Sequence, residues 1–293
     1  MEALVINKAK FKKLEQFKLN KEIFNTECQL FILDSKVTKK LLKIFYIDEG
    51  VYFGNKLLTI NSLIDAKEEI NMEELMLPEK LVVVGNKVAG FSMPFINNKN
   101  LQTILKSKEV PLATKIKFLK EVGKIIEQVQ NIKPYNQPFH LSDVHESNFI
   151  YDLNKKIIRA VDLDSCKIVN NEASPIKFLS TNKTIHNFPH KYYKNENGIY
   201  ESNTNTEYFC FIIMVLNTIS YNQINHLSIS DFYMYLQYLR DLGFSNELID
   251  YFSNIYTNSP NKIAIDSLDE ISYNKKAARA HHKVFEYKYK KNI

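Results

Sequence analysis

The pattern of apolar residues changes near residue 95 of this 293-residue chain, and the change restricts the folds that it can adopt. Two β-rich apolar runs within 28–47 predict a pair of strands. The apolar runs within 81–93 flank Gly85-Asn86, a turn sequence that indicates a hairpin. Residues 53–65 carry apolar residues at helical spacing. The first 95 residues therefore predict mainly strands and one helix.

The remainder of the chain has mainly helical patterns. The polar stretch 97–100 predicts a linker, and 112–131 predicts a long helix because its apolar residues recur every three or four positions. Nearly everything from 207 onward also has helical spacing. We therefore predict an α+β fold of two lobes, with a β-rich N-lobe at 1–95 and a mainly helical C-lobe at 96–293.

The net charge of the chain is +6, which raises the question of a nucleic-acid partner. Only three of the 39 basic residues are arginine, namely Arg159, Arg240 and Arg279. Arginine is the side chain best suited to bidentate contacts with phosphates and bases. A nucleic acid is therefore an unlikely main partner.

Other compositional features bear on cellular location. The longest apolar runs, such as 209–216, are too short to span a bilayer, and the N-terminus lacks the apolar segment of a secretory signal. We expect no membrane partner. Cys28, Cys166 and Cys210 are far apart and form no metal-binding or redox motif, so reduced thiols and a cytoplasmic location are expected.

Glycine is scarce, and its absence from the first 49 residues limits the possible nucleotide-binding motifs. Neither the glycine-rich turn of dinucleotide-binding folds nor the phosphate loop of P-loop NTPases occurs anywhere in the chain. The sequence therefore excludes a P-loop NTPase and a recognisable Rossmann enzyme.

Two short acidic stretches lie between strand-like segments of the second lobe. The first, HLSDVHESNF, contains Asp143, His145 and Asn148, and the second, VDLDS, contains Asp162 and Asp164. Mg²⁺ prefers oxygen ligands and is usually held by one or two carboxylates together with substrate phosphates. A further carboxylate can accept the proton of an attacking hydroxyl. The two stretches therefore suit Mg²⁺-dependent phosphoryl transfer.

The pattern Asp-x-His-x-x-Asn followed by Asp-x-Asp resembles the catalytic and metal loops of the protein-kinase-like superfamily. Its form is closest to the aminoglycoside phosphotransferases and other atypical bacterial or phage kinases. The resemblance implies a two-lobed protein-kinase-like fold with ATP and Mg²⁺ as cofactors. It also implies that Asp143 is the catalytic base, that Asn148 and Asp162 hold Mg²⁺, and that Asp164 assists the metal or orders its loop.

Further positions extend the resemblance. Lys43 lies between apolar residues of a predicted strand, where the phosphate-binding lysine of this superfamily is expected. A buried strand rarely carries an unpaired lysine, which favours a catalytic and nucleotide-binding role for Lys43. Met93-Pro94 resembles the hinge that meets adenine, so Met93 is a candidate nucleotide contact. Glu207 opens the apolar helix where the family usually has aspartate.

The sequence also departs from the family pattern. No glycine-rich loop precedes the first paired strands, and Ser142 replaces the arginine that usually precedes the catalytic aspartate. Helix 53–65 has no glutamate in a position that clearly pairs with Lys43. The candidate glutamates are Glu49, Glu68 and Glu69.

The sequence therefore predicts an ATP- and Mg²⁺-dependent kinase that transfers phosphate to a hydroxyl of a protein Ser/Thr or of a small molecule. The missing glycines leave open a pseudokinase that binds a nucleotide or a protein without catalysis. A metal-dependent hydrolase would use the same acids but would not explain Lys43 or Met93.

Overall fold

The computed structural model describes residues 3–14, 27–34, 39–46, 50–169, 171–172, 202–220, 227–254 and 265–280. The strands of the first part are β1 (Leu4–Ile6), β2 (Cys28–Asp34), β3 (Lys39–Phe45), β4 (Lys80–Val84) and β5 (Lys87–Pro94). Its helices are α1 (Lys8–Leu14), α2 (Val51–Asp65) and α3 (Lys67–Ile70). The predicted helix 53–65 and the hairpin around Gly85-Asn86 are confirmed.

The strands of the first part form one mixed five-stranded sheet in the order β1-β4-β5-β3-β2. Strand β1 runs parallel to β4, and the other neighbours are antiparallel. The sequence pattern did not predict β1, which is only three residues long. Helices α2 and α3 connect β3 to the β4–β5 hairpin, so α2 lies between two strands of the sheet in sequence.

Both faces of the five-stranded sheet are covered by apolar side chains. Phe31, Leu42 and Val82 pack with α1 on one face. Phe45 and Phe91 pack with α2 on the other face. Because side chains alternate along a strand, Lys43 projects from β3 toward the same face as Phe45, between the sheet and α2.

The second part of the chain is mostly helical. Its helices are α4 (Leu101–Lys106), α5 (Leu112–Asn131), α6 (Thr204–Ser220), α7 (Ile229–Asp241), α8 (Asn246–Ser253), α9 (Asp269–Tyr273) and α10 (Lys275–Ala280). Helix α5 packs against α6 and α9, and its apolar residues are buried at the spacing that predicted it. The protein is therefore α+β, with a mixed sheet in its N-terminal part and mostly helices later.

A smaller sheet lies at the start of the helical part. It contains β6 (Asn98–Asn100), β7 (Phe149–Asp152) and β8 (Ile157–Ala160), and a two-stranded ribbon of β9 (Lys167–Ile168) and β10 (Asn171–Glu172) follows it. The predicted linker 97–100 is thus wrong over 98–100, because these polar residues form an edge strand against β7. The acidic stretches lie immediately before β7 and immediately after β8.

Arg159 fixes the hairpin between β7 and β8. Its Nε donates to Asp152 Oδ2 at 2.9 Å, and its guanidinium also donates to the carbonyl oxygen of Glu73. The backbone of residues 74–76 runs along β8, with Ala160 N donating to Glu74 O at 2.7 Å. The segment after α3 thus fixes the strand that leads directly into the second acidic stretch.

Among the residues described, no helix combines the length and the apolar character that a membrane crossing requires.

Candidate functional site

Lys43 lies in the centre of a buried charged cluster. Its side chain is 6% exposed, and its Nζ donates to Asp162 Oδ1 and, at 2.6 Å, to Asp164 Oδ1. The ammonium also lies 5.9 Å from the centre of the Phe91 ring. Burial alone would lower the pKa of Lys43, but the two carboxylates outweigh burial and hold the pKa well above its usual value. Lys43 is therefore a charged residue at this site.

The two aspartates of this cluster differ in exposure. Asp162 follows β8 with a left-handed backbone conformation (φ +65°), and its side chain is 40% exposed. Asp164 lies in the 3-10 turn Leu163–Ser165, and its side chain is fully buried. Burial would raise the pKa of Asp164, but Lys43 and Lys56 outweigh it and hold the pKa below its usual value. Asp162 is thus the accessible acid and Asp164 the enclosed one.

Lys56 of α2 completes the cluster, and sequence reasoning missed it. Its Nζ lies 2.9 Å from Asp164 Oδ2, 3.3 Å from Ser165 Oγ and 2.9 Å from Glu27 Oε2. The side chain is 2% exposed. Lys56 lies one helical turn from Phe53 and Ile60, both buried, so the sequence does place it on the apolar face of α2. The argument from burial applied to Lys43 would also have found Lys56.

Asp143 and Asn148 meet in the first acidic stretch. Asn148 Nδ2 donates to the backbone oxygen of Asp143 at 2.9 Å and to Asp143 Oδ2 at 3.1 Å. His145 Nε2 lies 3.5 Å from the same carboxylate oxygen. Because His145 Nδ1 accepts a hydrogen bond from Ser147 N, the ring proton is on Nε2, facing Asp143. The loop thus holds one oxygen of Asp143 from two sides.

The contact between Asp143 and His145 shifts the pKa values of the two groups in opposite directions. Burial would raise the pKa of Asp143, but hydrogen bonds and charge from His145 and Asn148 lower it overall. Burial would lower the pKa of His145, but its hydrogen bond to Asp143 and the charge of Asp143 raise it overall. Asp143 is therefore ionised at neutral pH, as a proton acceptor must be.

Backbone hydrogen bonds join the two acidic stretches. Val161 N donates to Asn148 O at 2.9 Å, one residue before Asp162. His140 and Lys167 exchange both backbone hydrogen bonds, at 3.1 and 2.9 Å. The loop of Asp143 and the loop of Asp162 therefore lie side by side. Both loops are distant in sequence from β3, which carries Lys43.

Glu207, near the start of α6, binds the first acidic stretch at His140 and Leu141. Its side chain is fully buried, and its Oε1 accepts from Leu141 N at 2.6 Å. Its Oε2 lies 3.3 Å from His140 Nδ1 and accepts from Gln130 Nε2 at 3.0 Å. Glu207 therefore fixes the backbone two residues before Asp143.

Met93 belongs to the apolar cluster that also contains Phe91, whose ring lies beside the Lys43 ammonium. It is on β5, opposite Leu41 of β3, and is 5% exposed within the apolar cluster of Phe45 and Phe91.

The sequence offered three glutamates as candidate partners of Lys43. Among the residues that the structure describes, neither Glu68 nor Glu69 pairs with Lys43, and Glu49 lies outside those residues. Lys43 pairs with Asp162 and Asp164 instead.

Two side-chain oxygens of this site, which have no hydrogen bond within the part of the chain that the structure describes, suit a hard cation. Asn148 uses its amide nitrogen for Asp143, which leaves its Oδ1 for a cation, and Asp162 binds Lys43 through Oδ1, which leaves its Oδ2. Asp164 differs because each of its oxygens already accepts from a lysine. Within the described ranges no group of three or more His, Cys, Asp or Glu could hold a metal ion. Asp162 and Asn148 fit Mg²⁺ only together with phosphate oxygens and water.

No protein-family model matches the sequence, and comparison with curated proteins finds no significant match. A functional assignment for this chain therefore depends on its own residues and their geometry.

Proposed function

We propose that this protein is a cytoplasmic, ATP- and Mg²⁺-dependent phosphotransferase with a two-lobed, protein-kinase-like fold divided near residue 95. One observation carries the proposal. Lys43 of the five-stranded sheet reaches Asp162, whose loop is hydrogen-bonded to the loop of Asp143 and Asn148. A candidate phosphate-binding cation, candidate metal ligands and a candidate base thus come from three separate segments that are joined by hydrogen bonds. The three cysteines are free thiols, which supports a reducing compartment.

The roles follow from the contacts. Lys43 would bind the phosphates of ATP, since phosphoryl transfer needs a cation there. Asp162 and Asn148 would hold Mg²⁺, which supplies charge neutralisation for the phosphates when it is bound. Asp143 would accept the proton of the acceptor hydroxyl, and His145 and Asn148 orient its carboxylate. The acceptor is a protein Ser/Thr or a small molecule.

One observation favours a second candidate, a pseudokinase that binds a nucleotide or a protein without catalysis. Lys43 already has two carboxylate partners, so phosphates must compete with Asp162 for its ammonium group. A cluster whose lysine is already paired with carboxylates can also serve only to stabilise the fold, without catalysing phosphate transfer. The two candidates differ in turnover.

Measurement of ATP binding with and without Mg²⁺, followed by transfer of labelled γ-phosphate, tests the proposal. Acceptors are the protein itself, generic protein substrates and a panel of small hydroxyl compounds. Lys43→Met should abolish most binding and transfer, and Lys39→Met is the matched control because Lys39 lies on the same strand with an exposed side chain.

Asp143→Asn should retain Mg²⁺-ATP binding and lose transfer by about 10² to 10⁴, the usual contribution of a general base. If the wild type binds ATP but transfers no more phosphate than Asp143→Asn to any acceptor, the pseudokinase is the better assignment. If the wild type binds no nucleotide, the phosphotransferase and a nucleotide-binding pseudokinase are both wrong, and only a pseudokinase that binds a protein remains.

A further inference from the structure

The charged cluster between the sheet and α2 contains more carboxylates than a single lysine can balance. Asp162, Asp164 and Glu27 supply −3, and Lys43 and Lys56 supply +2, so the cluster carries −1 overall. Without Lys56 it would carry −3 + 1 = −2. A fully buried carboxylate is costly unless cations and hydrogen bonds compensate it, and Asp164 is the fully buried member.

Both oxygens of Asp164 already accept from a buried lysine. Its Oδ1 accepts from Lys43 at 2.6 Å and its Oδ2 accepts from Lys56 at 2.9 Å. Each carboxylate oxygen thus faces a buried ammonium group, and the side chain is enclosed. A metal bound to Asp164 would lie in an enclosed site between two buried ammonium groups, which repel a cation, whereas the Asp162 side chain is 40% exposed.

Lys56 connects three elements through these contacts. It lies on α2, binds Asp164 in the loop after β8, and binds Glu27 in front of β2. Asn171 of β10 also holds α2, because its Nδ2 donates to Asn55 O at 2.8 Å and to Thr59 Oγ1 at 2.7 Å. Helix α2 is therefore held to the 163–165 turn by Lys56, and to β10 at positions on either side of Lys56.

We propose that Asp164 and Lys56 are positioning residues for the nucleotide site: Asp164 orients the Lys43 ammonium, and Lys56 holds Asp164 in place from α2. This inference rests on the proposed function. In this inference the carboxylate of Asp164, in the loop after β8, orients Lys43. The residue that α2 contributes is a cation, Lys56, which binds Asp164. Asp164 is thereby removed from the metal ligands that the sequence suggested, and Asp162 and Asn148 are left for Mg²⁺.

Two matched substitutions test the assignment, Asp164→Asn and Asp162→Asn. Affinity for a non-hydrolysable ATP analogue is measured by calorimetry over a series of MgCl₂ concentrations. At metal sites, loss of a residue that orients a ligand typically costs about 10- to 100-fold in metal affinity or activity, and we expect a loss of the same order where a residue orients Lys43. Asp164→Asn should weaken analogue binding by that order, and the Mg²⁺ concentration for half-maximal binding should be unchanged. Asp162→Asn should raise that concentration by about tenfold or more.

Lys56→Met should reproduce the Asp164→Asn pattern, and Lys67→Met, an exposed lysine on the neighbouring α3, is its control. The double variant Lys56→Met/Asp164→Asn should bind the analogue no worse than the weaker-binding single variant, because in this proposal Lys56 acts on nucleotide binding only through Asp164. An increased Mg²⁺ requirement in Asp164→Asn, or unchanged affinity in Lys56→Met, would overturn the inference.

The ligand-free protein gives a readout that does not depend on the proposed function. Thermal melting is measured for the wild type, Lys56→Met, Asp164→Asn and the double variant. The double variant should melt no lower than the less stable of the two single variants. Additive losses would overturn the pairing. If the wild type binds no nucleotide, the proposed function fails, while this melting cycle still decides whether Lys56 and Asp164 act as one unit.

Discussion

Replacement of Gly90 by alanine should force apart the two strands that position Lys43. Gly90 lies on β5 opposite Ile44 of β3. A Cβ atom at Gly90 would lie 1.9 Å from the carbonyl oxygen of Lys43, and real Cβ contacts essentially never fall below 3.0 Å. The obstacle must therefore move by at least 3.0 − 1.9 = 1.1 Å. Because the obstacle is backbone, no side-chain rotation can relieve the clash.

The size of the loss follows from this displacement. Hydrogen bonds between β3 and β5 of about 2.9 Å would lengthen to about 4.0 Å and be lost. Two such bonds contribute about 1–3 kcal/mol to the free energy of unfolding. Strain in the surrounding apolar cluster adds about 1–3 kcal/mol. Gly90→Ala should therefore lower the free energy of unfolding by about 2–6 kcal/mol.

Chemical denaturation measures this change, and Gly54→Ala is the matched control. A Cβ at Gly54 in α2 would meet nothing within 4 Å. Alanine there should stabilise the protein by about 0.5–1 kcal/mol, because glycine is unfavourable inside a helix. Under the proposed function, folded Gly90→Ala protein should also bind Mg²⁺-ATP less tightly, since Lys43 lies on the displaced strand. Equal unfolding free energies for Gly90→Ala and the wild type would refute the reasoning.

Three further predictions concern Glu207, Asp152 and Cys28. Glu207→Gln should lower the free energy of unfolding by about 1–3 kcal/mol, because an amide nitrogen would face a buried donor; thermal melting against the exposed Glu247→Gln control checks this. Burial would raise the pKa of Asp152, but the backbone N–H of Lys155 and the Arg159 side chain lower it overall. Stability from Asp152 is therefore present above the ordinary carboxyl pKa of about 3.9 and is lost as pH falls through the lower folded-state value. Urea denaturation between pH 2 and 7 should show a flatter acid decline in Asp152→Asn, and an identical decline would contradict the assignment. Burial raises the pKa of the Cys28 thiol to about 11, so iodoacetamide at about pH 8 should alkylate Cys28 only after unfolding, as mass spectrometry can show.

The local sequence determined several elements because their signals lie within a few residues. Gly85 has a positive φ (+66°) in the turn between β4 and β5, a conformation that glycine adopts without strain. The 3.6-residue period of 112–131 predicted α5, since the residues on one face pack against the rest of the core. The local sequence also indicated that Lys43 is a candidate site residue, because a cation within an apolar strand needs a partner.

The tertiary structure alone decided the partners. Residue Lys43 meets Asp162 and Asp164 across 119 and 121 positions of sequence, and Lys56 meets Asp164 across 108. No local pattern encodes such pairings, which depend on how α2 and the loop after β8 pack against the sheet. The short strand β6 was missed for the same reason: its polar residues form a strand only because β7 supplies the hydrogen-bonding edge. The sequence thus indicates which side chains need partners, and packing between distant segments decides which partners they obtain.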